Sequence, residues 1–424
     1  MISRPLRILI GLVAGLALGA LAAWAGWRWL DASAVVASAV GALWLDALKM
    51  TIVPLVFALL VTGISSAASA AAAGGVAARS LIFFAILLLA SGAIGALAAP
   101  ALLELFPAPQ AAAEGLRAAA AGGGAAVPAA ADPAEWVAGI IPDNPVAAAA
   151  SGAMLPLVVF ALFFGFAATR IAAEGQARIV GLFQAVADTM LVVVGWVLWA
   201  APAGVFALAY VVGAKTGLAA AGALAHYVLI ISGICVLMTL LAYPVAMIAG
   251  RTPFARFARA SAPAQAVAVS TQSSLASMPA MIQGAEAVMR VPPRIVNVVL
   301  PLAVSLFRLT SPAANVAVVI YVAHLHGIPL GLGALAAGAL VSAVVSLAVV
   351  GVASQVSFFT TLTVICGVMG VPGEILGLLI AVETIPDIFR TAGNVTGDMA
   401  AMAVVARRGE GDTEAGPETL ATDV

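Results

Sequence analysis

The chain has 424 residues, a hydrophobic share of 64% and a charged share of only 9%. A soluble globular protein is close to half apolar and a quarter charged, so this composition excludes that class. The net charge of −1 gives no reason to expect a nucleic-acid partner. The apolar runs are continuous rather than alternating, which excludes a β-barrel and predicts a multi-pass membrane protein with helices of about 20 residues.

Long apolar segments occupy most of the first 250 residues. They lie at about residues 8–28, 36–70, 79–103, 145–169, 180–212 and 222–249. The first segment follows Arg4 and Arg7 and has no clear cleavage site, so we interpret it as a membrane helix and not as a signal peptide. Basic residues flank alternate ends of the segments, and the positive-inside rule then places both termini in the cytoplasm.

The pattern changes after residue 250. Residues 260–290 and 343–370 are apolar but interrupted by polar residues, glycine and proline. Residues 295–326 and 373–406 are long and carry charge. Paired, interrupted segments of this kind in a chain of transporter size indicate a binding site near the bilayer midplane.

The most informative stretch begins at Glu383 and ends at Asp398. If it is helical, six polar or charged side chains share one face within an arc of about 100°. They are Glu383, Asp387, Arg390, Thr391, Asn394 and Asp398. A charge that faces lipid is costly, so this face is expected to point at protein, water or a ligand.

Several motifs in this order resemble the dicarboxylate/amino acid:cation symporter family, the glutamate transporter homologues. The most specific is the stretch from Asp387 to Asp398, which resembles the family's eighth helix. The others are residues 48–63 (second helix), Asn144-Pro145 (start of the fourth), 201–207 (fifth) and 271–279, the serine-rich tip of the first re-entrant hairpin. The resemblance covers nearly the whole chain.

The resemblance implies an all-α membrane protein with eight transmembrane helices, two re-entrant helical hairpins, a glutamate-transporter-like elevator fold and a homotrimeric assembly. Scaffold helices would alternate in sequence with a transport domain that carries the substrate. The expected boundaries are 1–78 (scaffold helices 1–2), 79–106 (transport-domain helix 3), 107–143 (flexible outer loop), 144–220 (scaffold helices 4–5), 221–408 (transport domain with helix 6, hairpin 1, helix 7, hairpin 2 and helix 8) and 409–424 (disordered acidic tail).

The resemblance also implies roles for the polar face. Arg390 would bind a substrate side-chain carboxylate, because a guanidinium offers a planar fork for it. Asp387 would accept the substrate's α-ammonium group, Asn394 would bind its α-carboxylate, and Thr391 would contact it. The alternatives are an ion pair of Arg390 with Asp387 or Glu383, and helix–helix hydrogen bonds from Asn394 and Thr391.

Both hairpin tips supply further candidates. Ser273 and Ser274 lie at the first tip, where backbone amides free of helical bonds can meet an anion, although polarity of a loop would also explain them. Family members often have an arginine just before these serines, where this chain has Gln272. The second tip aligns poorly with the family, and Ser354 and Gln355 are its candidates.

The predicted seventh helix departs from the family where sodium binds. The family motif Asn-Met-Asp-Gly-Thr is replaced by Phe-Arg-Leu-Thr-Ser at 307–311. Family ligands on the third helix are likewise replaced by Phe84, Leu87 and Leu88. Because sodium is a hard ion that needs oxygen ligands, we expect this sodium site to be lost.

Arg308 stands within the altered motif. We hypothesise that its guanidinium replaces the bound cation and neutralises Asp398, which ligates sodium in the family. Transport would then be independent of sodium, with a proton as a possible coupling ion and Glu383, Asp387 or Asp398 as its carrier, while exchange and uniport stay open. Alternatively, Arg308 lies at a membrane interface or joins Arg390 on a second substrate carboxylate.

These features predict a secondary active transporter, a symporter of an acidic amino acid or C4-dicarboxylate in the inner membrane, with lipid around it and no cofactor. A sensor or anion channel on the same fold, or a transporter of an unrelated anionic substrate, are the alternatives. The spacing of nucleophiles, bases and metal-ligand types does not indicate an enzyme. We expect His226, His324 and His326 to lie at membrane interfaces.

Overall fold

A computed structural model describes residues 4–72, 74–107, 139–217, 219–348 and 354–411 of the chain. The first helices are α1 (Arg4–Trp24), α2 (Leu30–Lys49), α3 (Ile52–Ala72), α4 (Gly75–Leu105), α5 (Pro145–Ser151), α6 (Met154–Ala168), α7 (Ala173–Trp199), α8 (Ala201–Thr216) and α9 (Ala219–Pro244). The later helices are α10 (Phe254–Thr271), α11 (Ser274–Gln283), α12 (Pro293–Leu306), α13 (Thr310–His326), α14 (Leu332–Ala348), α15 (Ser354–Met369), α16 (Leu376–Leu379) and α17 (Thr384–Gly411). π-Helical turns at Val245–Ala249 and Gly284–Met289 follow α9 and α11.

Six helical stretches within these ranges are long and apolar enough to cross a membrane. They are Leu6–Trp24, Leu30–Ala72, Gly75–Leu105, Ala173–Trp199, Ala220–Ala249 and Pro293–His326. Shorter apolar helices include Met154–Ala168 and Ala201–Thr216. The predicted all-helical membrane class agrees with this structure, whereas the count of eight spanning helices and two re-entrant hairpins stays a prediction.

Breaks in the apolar segments have local causes. Asn144 caps α5, since its side-chain oxygen accepts the backbone N–H groups of Val146 and Ala147 at 3.0 and 3.1 Å. Segment 180–212 contains two helices, α7 and α8, and Pro202 lies in the first turn of α8. A proline is tolerated there because the first turn of a helix does not use its N–H groups.

The chain forms two compact units. Unit 1 contains Met1–Ser66, Leu89–Cys235 and Ser311–Asp387, and unit 2 contains Ala67–Leu88, Val236–Thr310 and Ile388–Val424. Each unit is described separately below. The division into a scaffold and a transport domain at the boundaries given above stays a prediction.

In unit 1, glycines at a spacing of four residues bring α1 against the backbone of α8. A Cβ atom on Gly11 would lie 2.6 Å from the carbonyl oxygen of Pro202, and Cβ atoms on Gly15 and Gly19 would clash with the carbonyl oxygens of Phe206 and Tyr210. Small residues at this spacing allow helix backbones to approach closely in membranes.

We therefore expect Gly15→Ala to destabilise the protein by about 1–3 kcal/mol through overpacking. Thermal unfolding of the full chain in detergent measures the effect. Gly195→Ala on α7 is the matched control, because a Cβ there meets no atom within 4 Å. Equal unfolding temperatures for the two variants would contradict the close contact.

In unit 2, α10 and α11 form a helical hairpin. The chain reverses at Gln272, which has a left-handed φ of 53°, and Gly284 on the returning arm packs against the backbone of Ala260. The reversal falls within the predicted tip at 271–279. Gln265 on α10 donates to the hydroxyl of Thr396 on α17 at 2.7 Å, which fixes the hairpin against that helix.

Candidate functional site

Two of the predicted acids lie in unit 1, at the start of α17. Glu383 is only 2% exposed, and its Oε2 accepts a hydrogen bond from the hydroxyl of Tyr227 at 2.7 Å. Asp387 is also buried, and its backbone N–H donates to the carbonyl of Glu383 at 2.9 Å. Glu383 directly precedes α17, and this bond is the first backbone hydrogen bond of the helix.

The other four residues of the polar face lie in unit 2. Arg390 is 9% exposed and Asp398 is 0% exposed, and Thr391 and Asn394 are buried as well. Their spacing on α17 places them on one side of the helix, as predicted. A buried guanidinium and a buried carboxylate in so apolar a chain indicate a functional site.

The predicted seventh helix is broken where the altered motif stands. α12 ends at Leu306, Phe307 adopts an extended conformation (φ −114°, ψ 121°), and α13 begins at Thr310. The backbone N–H of Thr310 donates to Oδ1 of Asn394 at 2.9 Å, and its Oγ1 lies 2.7 Å from the same atom. Oγ1 also donates to the carbonyl of Arg390 at 2.9 Å.

These bonds orient the Asn394 side chain. A backbone N–H can only donate, so the Asn394 atom that faces Thr310 must be the oxygen. The Nδ2 amino group of Asn394 consequently points away from Thr310. This arrangement presents an N–H donor, which suits an anionic group such as a carboxylate.

Aromatic packing occupies positions at which the resemblance implied sodium ligands. The rings of Phe84 and Phe307 stack with their centroids 4.7 Å apart and their planes 16° apart. Leu88 and Leu309 are buried too. Leu309 packs against Gly397, because a Cβ atom added to Gly397 would lie 2.6 Å from the Cβ atom of Leu309. These four side chains have no oxygen atom that could bind a hard cation.

Arg308 and Asp398 interact electrostatically in unit 2. Arg308 is half-buried, whereas Asp398 is completely buried. Within the described part of the chain, neither carboxylate oxygen of Asp398 accepts a hydrogen bond. The positive charge of Arg308 therefore favours the charged form of Asp398, a carboxylate that hydrogen bonds do not stabilise.

The first hairpin tip is built as an N-terminal helix cap. Ser273 has an extended backbone and its Oγ accepts the N–H of Ala276 at 3.2 Å, while Ser274 is the first residue of α11. Both serines are half-buried in unit 2. The side chains of Ser354 and Gln355, predicted for the second tip, lie outside the described residues.

Three polar groups near the site were not identified from sequence. Thr310 and Thr396 are hydroxyl partners of residues far along the chain, and Tyr227 is 156 positions from Glu383. The sequence could have indicated Thr310, because this residue lies inside the altered motif. No sequence pattern indicated Tyr227, because it lies within a long apolar helix and only the packing of helices brings it to Glu383. Among the described residues, no group of three or more His, Cys, Asp or Glu is placed to hold a metal ion.

Residues 5–408 match the model of the sodium:dicarboxylate symporter family. This chain belongs to that family. The resemblance inferred from the sequence motifs is thus confirmed, and with it the glutamate-transporter fold. The sodium:dicarboxylate symporter family consists of membrane transporters, not enzymes, as the sequence predicted.

Several curated proteins are similar to this chain, and the names of the first two below mention glutamate. The proton/glutamate-aspartate symporter of Escherichia coli K12 is 31% identical over 272 residues, which cover 64% of this chain and 61% of that protein. A proton/sodium-glutamate symport protein of Bacillus caldotenax is 28% identical over 293 residues, 68% of each chain. Excitatory amino acid transporter 3 of the mouse is 25% identical over 272 residues, 62% of this chain and 50% of that protein. The match thus spans about half to two thirds of the length of these relatives.

Proposed function

We propose that this protein is a secondary active transporter that carries an acidic amino acid or a C4-dicarboxylate by symport across the inner membrane. The observation that carries the proposal is the buried guanidinium of Arg390 on α17. A buried cation in a membrane protein is stabilised by an anionic partner, and a planar guanidinium binds a carboxylate through two parallel hydrogen bonds. The names of the relatives support the same substrate class.

The remaining site residues have complementary roles in this proposal. The amino group of Asn394, which points away from Thr310, donates to the substrate's α-carboxylate. Thr391 adds a hydroxyl on the same face of α17. Asp387, one turn before Arg390, accepts the α-ammonium group of an amino acid substrate. A substrate with two carboxylates and one ammonium group therefore pairs with Arg390, Asn394 and Asp387.

The coupling ion follows from the altered motif. The stacked rings of Phe84 and Phe307 occupy two positions where the resemblance implies sodium ligands, and neither side chain has an oxygen atom. Arg308 provides a fixed positive charge near Asp398, so this carboxylate does not need a bound cation. We propose that transport is independent of sodium at this site and that a proton is the coupling ion.

Membrane placement and assembly follow the family pattern in this proposal. Both termini lie in the cytoplasm, because the arginines flank alternate ends of the spans. Three copies assemble through the scaffold helices of residues 1–78 and 144–220. Residues 79–106 and 221–408 move together as the transport domain.

We expect the purified chain in proteoliposomes to accumulate radiolabelled aspartate when an inward proton gradient is imposed, at the same rate in sodium and in choline buffers. Protein-free liposomes are the control, and unlabelled succinate tests whether dicarboxylates compete. A rate that falls severalfold when sodium is removed would reject the fixed-cation proposal and leave the transport proposal intact. Substrate binding without accumulation would instead indicate a sensor, and a substrate-gated anion current would indicate a channel.

A further inference from the structure

The side chain of His226 in unit 1 is held by hydrogen bonds at both ring nitrogens. Its Nε2 lies 2.8 Å from the backbone carbonyl oxygen of Phe106, and its Nδ1 lies 3.1 Å from the hydroxyl of Tyr321. The same hydroxyl donates to the carbonyl oxygen of Ala223 at 2.8 Å. His226 is half-buried, so it is more than the interfacial anchor that its sequence position suggests.

The three bonds require a particular protonation state. A carbonyl oxygen only accepts, so Nε2 of His226 must carry a hydrogen to bond with Phe106. The hydroxyl of Tyr321 has one hydrogen, and it is used on Ala223. The Tyr321 oxygen can then only accept from Nδ1, which must also carry a hydrogen. All three bonds coexist only when His226 is the doubly protonated imidazolium ion.

Loss of one proton changes this arrangement in a defined way. Neutral His226 keeps the hydrogen on Nε2, because the Phe106 carbonyl still needs a donor. Nδ1 then becomes an acceptor, and the hydroxyl of Tyr321 must turn from Ala223 towards Nδ1. The same atoms therefore support two hydrogen-bond patterns that differ by one proton.

We propose that His226 is a proton-binding site of this transporter and that the hydroxyl of Tyr321 changes its hydrogen-bond partner when His226 binds or loses a proton. Tyr321 is completely buried, and its ring meets the ring of Tyr227 edge-on with centroids 5.4 Å apart. Tyr227 in turn donates to the buried Glu383. Proton binding at the half-buried His226 is thus linked by packed tyrosines to a carboxylate at the start of α17.

Other titratable side chains among the described residues of unit 1 lie on α4, α8 and α13. Glu104 near the end of α4 and His324 on α13 line a cavity of about 440 Å³ that also includes Pro107, the residue after Phe106. Both side chains are exposed. Lys215 lies in the last turn of α8.

Nitrogen NMR of the full chain in nanodiscs, labelled at histidine, tests the site directly, because the protein has three histidines. His226→Gln assigns the signals of His226. We expect Nδ1 to lose its hydrogen as the pH rises while Nε2 keeps its hydrogen. In Tyr321→Phe, the imidazolium loses the acceptor of its Nδ1 hydrogen, so this change at Nδ1 should occur at a lower pH than in the wild type. Deprotonation at Nε2, or an unchanged transition in Tyr321→Phe, would overturn the proposal.

Transport supplies a second measurement, which rests on the proposed function. We expect the initial uptake rate of the wild type to change with external pH over the range in which His226 titrates. His226→Gln should remove that change. His326→Gln is the matched control, because Nδ1 of His326 lies 2.8 Å from the carbonyl oxygen of Val322 on its own helix. A retained pH profile in His226→Gln would reject the link to transport. If the wild type does not transport, the proposed function fails, and the NMR experiment still decides the proton site.

Discussion

Arg390→Gln should reduce the affinity for aspartate by roughly 30-fold to several thousand-fold, because removing one partner of a buried, hydrogen-bonded charge pair costs about 2–5 kcal/mol. Arg390→Lys keeps the charge but loses the planar fork, so its loss should be smaller but still large. Isothermal titration of the full chain in detergent gives the affinity, and uptake into proteoliposomes gives the rate.

The matched control for Arg390 is Arg256→Gln on α10. Arg256 is exposed on the same unit, and its replacement removes the same charge from the surface. Its aspartate affinity should stay within about twofold of the wild type. If Arg390→Gln binds aspartate as well as Arg256→Gln does, Arg390 does not bind the substrate, and its burial has a structural explanation such as an ion pair along α17.

Arg308→Met should destabilise the protein by about 3 kcal/mol, because it leaves Asp398 as a buried charge without its cationic neighbour. Asp398→Asn should cost less, since Arg308 is half-buried and can reach water with its charged end. The double variant Arg308→Met/Asp398→Asn should be more stable than Arg308→Met alone. Thermal or denaturant unfolding of the four proteins gives the coupling energy in a double-mutant cycle.

Arg407→Met is the control for general loss of a half-buried arginine from unit 2. Its guanidinium donates to the carbonyl of Ala249 at 3.0 Å. Loss of this hydrogen bond should cost at most about 3 kcal/mol. Combining Arg407→Met with Asp398→Asn should give additive effects. Additive effects for Arg308 and Asp398 as well would mean that Arg308 does not stand in for a cation at Asp398.

Much of the site could be predicted from the sequence because its residues lie on one helix. The order Asp387, Arg390, Asn394, Asp398 sets a helical face by itself, and burial of these residues follows from the cost of placing charge against lipid. The altered motif at 307–311 was recognised because the resemblance implies a different motif at these positions. Its side chains have a fixed place relative to the preceding helix, so replacing oxygen-bearing residues with Phe and Leu has a direct chemical meaning.

The tertiary structure decided which distant groups meet these residues. Thr310 orients Asn394 from 84 positions away, and Tyr227 donates to Glu383 from 156 positions away. Such contacts depend on how helices pack, and apolar membrane helices have little sequence pattern that specifies their neighbours.

The sequence by itself determined the membrane class and the polar face of α17, because composition and helical periodicity act locally along the chain. The family was inferred from the resemblance of its motifs. Only the tertiary structure showed the stack of Phe84 on Phe307, the break before Thr310 and the two hydrogen bonds of His226. The ring stack and the hydrogen bonds of His226 join segments that are far apart in sequence. Their geometry arises from side-chain packing and from pairing of buried polar groups, which become defined when the helices come together.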